Sequence, residues 1–461
     1  MTLQPIVRQS AILDFEANLL GELIRPAHDD YDLARRVHNL NTDRRPALIA
    51  RAADAADVLR SVAFAREYDL PLAVRSGGHS LAGYGTVEGG LVIDLSRMQG
   101  LSIDPERRIA WAQPGLTWGQ YAEQANVYGL ATTAGDTASV GLGGLTLGGG
   151  IGWMARKHGL TVDNLLSVEI VTADGRLVRA STEERPDLFW ALRGGGGNFG
   201  VATAFQYRLQ PAGTIFGGAV IYPVERDILR GWSEYVAQAP DELTSIAFIT
   251  AAPPAPFVPA DQVGKPVMIV AMVCVGDIPN AERVVAPLRR LGTPIVDIAR
   301  PMQYPEMFTL TAGATHPGYA SHRSGFLPSL PDAVQDMVID QATSASMAGR
   351  IIELRGLGGA MARIDPTSTA FVHRDKPYML TLIGATQDPA QLDAQRTWTT
   401  DTWDLVRPYT SGAYVNFLED EGADRVFDAY PAATYERLSD IKRQYDPSNV
   451  FRMNQNIATT L

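Results

Sequence analysis

The stretch AGDTASVGLGGLTLGGGIG, residues 134–152, constrains the fold of this chain more than any other segment. An ordinary core helix or strand does not tolerate such a density of glycine, because glycine gives up more conformational freedom on folding than any other residue. Two further glycine loops lie at residues 76–78 and 194–200. Three separated glycine loops indicate that the backbone closely approaches one large, flat ligand.

The first of these loops lies in the segment PLAVRSGGHS, residues 71–80. It predicts a short apolar strand, Leu72–Val74, followed by Arg75, a tight turn at 76–78 and then His79. Consecutive glycines can point several N–H groups into one concavity, which suits an anion such as a pyrophosphate. Arg75 would add charge at the rim, and His79 would supply a nucleophilic ring nitrogen. The alternative is a surface turn with a solvated histidine.

The glycine patterns of the common nucleotide folds do not fit this chain. The letters of Gly195–Gly200 match G-x-G-x-x-G, but a predicted helix precedes them and a strand follows, the reverse of the dinucleotide-binding order. The only Gly-Lys pair, Gly264-Lys265, is followed by proline, so there is no phosphate-binding P-loop lysine. A nicotinamide-binding domain and a P-loop are both disfavoured.

Length and charge limit the architecture and the partners. With 461 residues the chain is too long for one ordinary core, so two or three domains are expected. A net charge of −11 argues against nucleic acid or an anionic membrane as the main partner, because both select basic surfaces. No segment approaches the ~18 apolar residues that cross a bilayer. The N-terminus lacks the charged start and apolar run of a signal peptide, so we expect a cytoplasmic location.

The chain contains one cysteine, Cys274, in the apolar run VMIVAMVCV. A single cysteine excludes an intramolecular disulfide, a cysteine-based zinc site and an iron–sulfur cluster. We expect Cys274 to be a buried small hydrophobe, and we expect no metal site.

Periodicity and turn residues predict mixed helices and strands, with a change in composition near residues 210–213. The predicted helices are Ala11–Leu20, Ala52–Tyr68, a helix capped by Thr117 and reaching about Tyr128, one starting at Pro186, Ala281–Leu291, Pro331–Ala342, Pro389–Val406 and Tyr435–Tyr445. The predicted strands are Leu72–Val74, Leu91–Leu95, Ile109–Ala112, Val168–Thr172, Arg176–Val178, Val201–Leu209, Ser245–Thr250, Val267–Val275, Arg350–Leu354, Tyr378–Ile383 and a fragment at Tyr414–Phe417.

Four segments together resemble one family closely. They are RSGGHSLAGYG, the 134–152 loop, DLFWALRGGGGNFGV and the tail YVNFLEDEG…YERLSDIKRQYDPSNVFRMNQNI. They are similar to the berberine bridge enzyme-like branch of the vanillyl-alcohol oxidase flavoprotein superfamily, from about residue 25 to the C-terminus. The resemblance implies an α+β fold. An FAD-binding domain of the PCMH type would span 1–212, and a substrate-binding domain with an antiparallel sheet covered by helices would span 213–410. Residues 411–461 would return to the FAD domain.

The resemblance also implies how FAD is held. Its pyrophosphate would lie over the 75–80 turn and the 134–152 loop, and His79 matches the histidine bonded to the flavin 8α-methyl group. Many members add a cysteine bond at a position that is Thr137 here, so we expect one covalent bond and a smaller or tighter substrate site. The implied cofactor-binding residues are Arg75, Ser76, Gly77, Gly78, His79, Ser80, Gly83, Gly135, Thr137, Val140, Gly141, Gly144, Gly149, Gly152, Val201, Tyr414, Asn416, Asn454 and Asn456.

For the catalytic base, the resemblance points to Tyr414 and Asn416, two residues apart on one face of the predicted strand. Tyrosine is a weak base unless a cation or positive dipole lowers its pKa, so the alternative is that Tyr414 only packs against the flavin. Plant relatives carry glutamate or glutamine where this chain has Thr381. Glu353 is a possible replacement carboxylate, unless it merely pairs with Arg355. We expect His158, His316 and His322 to be structural or surface residues.

The expected function is an FAD oxidase that takes a hydride from an alcohol, hemiacetal or amine carbon and releases hydrogen peroxide. Val140, beside Gly141, matches a position where a small residue leaves oxygen a path to the flavin in this branch. A flavin dehydrogenase with another acceptor and a non-catalytic flavin-binding relic are the alternatives. The expected partners are a small-molecule substrate and O2, with a monomer or homodimer as the assembly.

Overall fold

A computed structural model describes residues 7–344 and 346–459. Residues 1–6, which begin the N-terminal stretch discussed above, lie outside the described part of the chain. The main sheets have four, five and eight strands, and helices pack between and around them. This mixture confirms the expected α+β class. In the described ranges, no helix is long and apolar enough to cross a membrane.

The four-stranded sheet places the first glycine turn. Its strands lie in the order Glu22–Ile24, Leu48–Arg51, Leu91–Asp94 and Leu72–Arg75. The last three run parallel, so their carboxyl ends meet at one edge of the sheet, and the turn at 76–78 follows there. The helix Ala55–Glu67 covers the sheet, and its N-cap Asp54 accepts a hydrogen bond from the N–H of Asp57.

The five-stranded sheet is antiparallel. Its order is Leu101–Asp104, Ile109–Ala112, Val201–Arg208, Leu165–Val171 and Leu177–Ser181. From its strand Ile109–Ala112 the chain continues through the helix Trp118–Asn126 towards the glycine loop at 134–152. The helix Trp118–Asn126 begins at Thr117 with a reciprocal capping box to Gln120, as the predicted cap required.

The eight-stranded sheet is antiparallel and has two chemically different faces. Its strands are Val296–Asp297, Thr214–Pro223, Pro266–Cys274, Leu243–Ala251, Arg350–Gly356, Tyr378–Thr386 and Tyr319–Leu327 in order, with Arg300–Gln303 also paired to Thr214–Pro223. One face packs against the helices Arg226–Gln238, Ile278–Val285, Asp332–Ser344 and Leu392–Val406. Alternate residues such as Glu353 and Thr381 point to the other face, because side chains alternate along a strand. The predicted sheet covered on one face by helices is confirmed.

Shorter elements connect the sheets. The remaining helices are Gln9–Asn18, Tyr31–Ala34, Leu142–Gly148, Ala155–His158, Pro186–Ala191, Ala360–Arg363, Ala423–Ala429 and Ala432–Tyr445. The 3-10 turns are Thr161–Asn164, Gly196–Phe199, Leu288–Arg290, Tyr304–Thr315, Pro389–Gln391, Arg407–Tyr409 and Val415–Phe417, and a two-stranded ribbon joins Leu130–Ala131 to Gln210–Pro211.

Three differences from the predicted elements matter for the site. The predicted strand at Tyr414–Phe417 is wrong, because the chain turns there and the N–H of Phe417 bonds to the carbonyl of Tyr414 at 2.8 Å. The strands Thr214–Pro223 and Tyr319–Leu327 were not predicted. The first is interrupted by Gly217 and Gly218, and the second, YASHRSGFL, has no apolar run. The domain division at 212 and 410 stays a prediction.

A buried ion pair joins the predicted cofactor and substrate regions. Arg374 is almost fully buried and donates to both oxygens of Asp163, at 2.8 and 3.0 Å. It also donates to Thr369 Oγ1 at 2.8 Å. Because both charges are buried, each depends on the other for its stability in the folded protein.

We predict that Arg374→Met lowers the free energy of unfolding by about 3–5 kcal/mol, because it leaves the Asp163 carboxylate buried and unpaired. Urea denaturation measures the change. The control is Arg97→Met, which breaks a half-exposed pair with Glu22 and is expected to cost at most about 1 kcal/mol. Equal effects of the two substitutions would contradict a structural role for the buried pair.

Candidate active site

A cavity of about 790 Å³ lies between the glycine loops and the open face of the eight-stranded sheet. Its floor is made by residues of the 74–81, 135–145 and 196–202 segments and of the C-terminal tail. Its roof is made by side chains of the sheet, including Phe248, Glu353 and Thr381. The volume falls in the ~300–1,000 Å³ range of small-molecule and cofactor sites.

The floor depends on a direct backbone contact between two glycines. A Cβ atom on Gly77 would lie 2.4 Å from the nitrogen of Gly141, and one on Gly141 would lie 2.3 Å from the nitrogen of Gly77. A side chain at either position would push the turn and the loop apart. Ser76 closes the junction, since its hydroxyl donates to the carbonyl of Pro114 at 2.5 Å and accepts from the N–H of Gly143 at 3.3 Å.

Gly144 keeps the floor open for a bound group. It lies in the helix Leu142–Gly148 and is exposed to the cavity, and a Cβ atom built there meets nothing within 4 Å. Three buried polar atoms of cavity-lining residues, Asn454 Oδ1, Thr381 Oγ1 and His322 Nδ1, have no hydrogen-bond partner among the described residues. A glycine-lined wall with unsatisfied polar atoms around it fits a large, flat cofactor such as FAD.

His79 projects from the glycine turn as a neutral imidazole. Its Nε2 atom hydrogen-bonds to Ser139 Oγ at 3.0 Å, and its ring stacks on that of His38 with centroids 4.0 Å apart. Burial lowers the pKa of His79 to about 3, with a smaller contribution from His38. The ring lines the cavity. It therefore has an unprotonated nitrogen available for bond formation at neutral pH.

Arg75 does not supply charge at the rim as expected. Its side chain is buried, and Nη2 donates to Asp94 Oδ2 at 2.8 Å and to the carbonyl of Ala34 at 2.6 Å. A free arginine at this depth would be costly to bury, so the charge is neutralised inside the protein. Backbone N–H groups of the turn are left as the donors for an anion.

Tyr414 and Asn416 meet in one pocket, although not through strand alternation. The 3-10 turn at Val415–Phe417 brings Asn416 Nδ2 to 2.9 Å from the Tyr414 hydroxyl oxygen, which also accepts from the N–H of Gly150 at 2.9 Å. Burial raises the pKa of Tyr414, while these two bonds and the nearby Arg355 act to lower it. The net direction is upward, so the phenol holds its proton at neutral pH.

Glu353 is paired with Arg355 on its own strand. Its Oε1 accepts from Arg355 Nε at 3.0 Å and Nη2 at 2.6 Å, and the same Nη2 donates to Asp136 Oδ2 at 2.5 Å. Burial raises the pKa of Glu353, and Arg355 acts to lower it. Two carboxylates thus share one guanidinium in the roof of the cavity. Thr381 lies directly across from Glu353 on the neighbouring strand.

The structure brings together most of the predicted site residues. The cavity-lining residues among them are Arg75, Ser76, Gly77, Gly78, His79, Ser80, Gly135, Thr137, Val140, Gly141, Gly144, Glu353, Thr381, Tyr414, Asn416 and Asn454. Those that lie outside the cavity wall are Gly83, Gly149, Gly152, Val201 and Asn456. The outlying glycines have packing roles instead. A Cβ atom on Gly152 would lie 1.5 Å from the carbonyl oxygen of Ala134, and one on Gly149 would meet Phe371 at 2.8 Å.

Several residues in or next to the cavity were not expected from the sequence. His38 stacks on His79, and Ser139 bonds to it. His316 and His322 line the cavity, although both were expected to be structural or surface residues. The polar strand that carries His322 was the signal that could have found it. Cys274 is buried as predicted. In the described ranges, no group of three or more histidine, cysteine or acidic side chains is arranged to hold a metal.

Comparison with known proteins agrees with this geometry. Residues 46–181 match the family described as FAD binding domain, and residues 413–458 match the one described as berberine and berberine like. The chain is 32% identical to (R)-6-hydroxynicotine oxidase of Paenarthrobacter nicotinovorans, over 95% of this chain and 97% of the relative.

Two solved structures show the same fold. The crystal structure of 6-hydroxy-D-nicotine oxidase from Arthrobacter nicotinovorans superposes with a TM-score of 0.85 at 28% identity, covering 96% of this chain and 98% of that one. Xylooligosaccharide oxidase from Myceliophthora thermophila, in complex with xylobiose, superposes with a TM-score of 0.84 at 25% identity, covering 97% and 99%.

The fold, the glycine-lined cavity and these similarities define an FAD-linked oxidoreductase that acts on a small-molecule substrate. The chain belongs to the berberine bridge enzyme-like family of FAD-linked oxidases.

We predict that Gly144→Leu lowers the flavin content of the purified protein by about tenfold or more, because the side chain would occupy cofactor space. The protein should still fold, since leucine favours a helix over glycine. The ratio of flavin to protein absorbance measures the effect, and circular dichroism checks the fold. Gly144→Ala should give an intermediate loss. A leucine variant with full flavin content would show that FAD does not approach this backbone.

Proposed function

We propose that this chain is an FAD oxidase that oxidises an alcohol, hemiacetal or amine carbon and passes the electrons to O2, giving hydrogen peroxide. The observation that carries the proposal is that the glycine floor, with His79, faces the polar sheet residues across one shared cavity with space for substrate. FAD, when bound, accepts a hydride from the substrate carbon at its N5 atom.

Backbone groups of the glycine floor would hold the cofactor. Gly77 and Gly78 present the turn that follows the parallel strands, and Gly141 and Gly144 present the second loop. Since Arg75 is neutralised by Asp94, these segments would bind a pyrophosphate through N–H donors and not through a free cation. Asn454 Oδ1, unpartnered among the described residues, would bind a polar edge of the cofactor.

We propose that FAD is attached through His79 alone. The neutral ring of His79 lines the cavity, which is what a nucleophilic nitrogen requires. Thr137 also lines the cavity, and its hydroxyl bonds to Asp136 Oδ1 at 3.3 Å. A threonine cannot form the thioether that a cysteine at this position would form. One covalent bond is therefore expected.

We propose that Tyr414 works as a hydrogen-bond donor at the floor of the substrate space. Its oxygen already accepts two N–H bonds, and burial keeps the phenol protonated, so its own proton can bind a substrate oxygen or nitrogen. Asn416 fixes the direction of the ring oxygen and is itself tied to the carbonyl of Leu145 at 3.1 Å. This arrangement favours positioning over proton removal.

The function is tested by mixing the purified holoenzyme with a substrate panel that includes (R)-6-hydroxynicotine, xylobiose and simple alcohols. An oxidase bleaches its flavin without air and releases peroxide in air. Bleaching with slow reoxidation, but fast turnover with an artificial acceptor, would indicate the dehydrogenase alternative. No bleaching by any panel member would favour the non-catalytic flavin-binding alternative.

Oxygen reactivity gives a second prediction. Val140 lines the cavity beside Gly141, and its short side chain would leave a path to the flavin. We predict that Val140→Leu slows reoxidation of the reduced enzyme by about tenfold, roughly the effect of a 1.4 kcal/mol barrier, while flavin reduction stays within about twofold. Stopped-flow absorbance measures both half-reactions. The proposed path is wrong if the two half-reactions slow together or if reoxidation does not change.

The covalent bond gives a third prediction. After acid denaturation, the yellow colour should stay with the wild-type protein, and a proteolytic flavin peptide should contain His79. His79→Ala should bind FAD releasably, and Thr137→Ala should keep the bond because its hydroxyl does not form one. Mass spectrometry of the denatured proteins distinguishes the three. Wild-type FAD that leaves entirely with the supernatant would refute the bond.

A further inference from the structure

His322 occupies a position in the cavity that neither the sequence nor the proposed roles above explain. It lies in the strand Tyr319–Leu327 opposite Ile383, two residues before Ser324, which lies opposite Thr381. Side chains two apart share a face of a strand, so His322 projects from the same roof surface as Thr381. Its ring lines the cavity.

Glu419, from the C-terminal tail, holds His322 in place. One carboxylate oxygen, Oε1, accepts from the main-chain N–H of His322 at 2.9 Å and lies 3.6 Å from its Nδ1. The other, Oε2, accepts from Arg323 Nη1 at 2.9 Å. Burial acts to raise the pKa of Glu419, but the contacts with His322 and Arg323 outweigh it and the pKa is lowered. The residue is therefore a carboxylate at neutral pH.

This carboxylate determines which ring nitrogen of His322 can act. Nδ1 lies 3.6 Å from Glu419 Oε1 and has no hydrogen-bond partner among the described residues, so the nearby carboxylate favours the tautomer with its proton on Nδ1 and its lone pair on Nε2. Nδ1 is buried on the Glu419 side, whereas the ring lines the cavity, so Nε2 on the far side of the ring faces the cavity. A histidine oriented by a carboxylate, with its second nitrogen directed at a substrate space, is the arrangement of a general base.

The other two candidates for the catalytic base already have hydrogen-bond partners within the protein. The oxygen of Tyr414 accepts two N–H bonds, and Glu353 is bound to Arg355. The charged and titratable groups that face His322 are Glu419 and Arg323 at its back, Glu353 on the roof and His38 on the floor. His322 is thus next to both the roof carboxylate and the histidine that stacks on His79.

We propose that His322, positioned by Glu419, accepts the O–H or N–H proton of the substrate. The proposal rests on the proposed oxidase function. The substrate C–H bond breaks with both electrons leaving as hydride to FAD, while the O–H or N–H bond breaks and its proton goes to Nε2. A C=O or C=N bond forms. O2 takes the two electrons and two protons, one that left the substrate within the hydride and one that His322 returns through solvent, and becomes hydrogen peroxide. The substrate must therefore carry a hydroxyl or an N–H on the carbon that is oxidised.

The kinetic test uses a substrate identified in the peroxide screen and follows flavin reduction without air from pH 5 to 9. Wild-type reduction should rise with pH, because only the unprotonated base can take the proton of the substrate. His322→Gln keeps a hydrogen-bonding side chain but cannot take the proton. It should slow flavin reduction about a hundredfold or more, and the rise of the reduction rate with pH (the rising limb of the pH profile) should disappear. The flavin spectrum should not change.

Three variants serve as comparisons in the same assay. His28→Gln replaces a histidine outside the cavity and should leave the profile unchanged. Tyr414→Phe and Glu353→Gln should slow reduction less and keep the rising limb. If either of these removes the limb while His322→Gln retains it, the proposal is overturned and that residue is the base.

A test without turnover examines Glu419 as the positioning residue. The chain has seven histidines, so selective 15N labelling gives a resolvable set, and the His322 signal is the one lost in His322→Gln. The holoenzyme at pH 8 should show His322 with its proton on Nδ1, and Glu419→Gln should shift the ring towards the other tautomer. A proton on Nε2 in the wild type overturns the proposal. If no substrate reduces the flavin, the proposed oxidase function is wrong. The NMR measurement would still show which ring nitrogen of His322 carries the proton.

Discussion

The contact between the backbones of Gly77 and Gly141 is the constraint on which the rest of the site depends. The turn follows the carboxyl ends of three parallel strands, and the loop lies at the start of a short helix. They can touch only because neither residue has a Cβ atom. The contact builds one continuous floor from two distant segments. It also positions His79 beside Ser139, whose hydroxyl forms a hydrogen bond with Nε2 of the histidine ring.

Three buried arginines show how the protein neutralises charge in its interior. Arg75, Arg355 and Arg374 are each buried, and each is bound to at least one carboxylate of the chain. A buried arginine without a partner would be costly, so these side chains are neutralised before any ligand arrives. Recognition of the cofactor and the substrate is therefore left to backbone N–H groups, neutral hydroxyls and imidazoles. Arg355 also links Glu353 in the roof to Asp136 in the floor, because it donates to both carboxylates.

The same constraint separates the candidate proton acceptors. Tyr414 is surrounded by hydrogen-bond donors but buried, and burial dominates its pKa. Glu353 is ionisable but held by a guanidinium. His322 has a carboxylate behind its ring, and the ring itself lines the cavity. Proton transfer in this fold would then involve the tail, through Glu419, as well as the sheet.

The glycine runs, the segment DLFWALRGGGGNFGV and the tail motif identified the FAD-binding family, and the residue pattern correctly predicted four of the eight strands of the large sheet. These features are local, so a single sequence carries them. The sequence placed Arg75 at the rim, Tyr414 on a strand and His322 away from the site, and the structure differs at all three. Their settings depend on partners distant in the chain, as with Glu419, which is 97 residues from His322. A local pattern determines which element forms, but which buried charge finds which partner is decided only when the distant segments pack together.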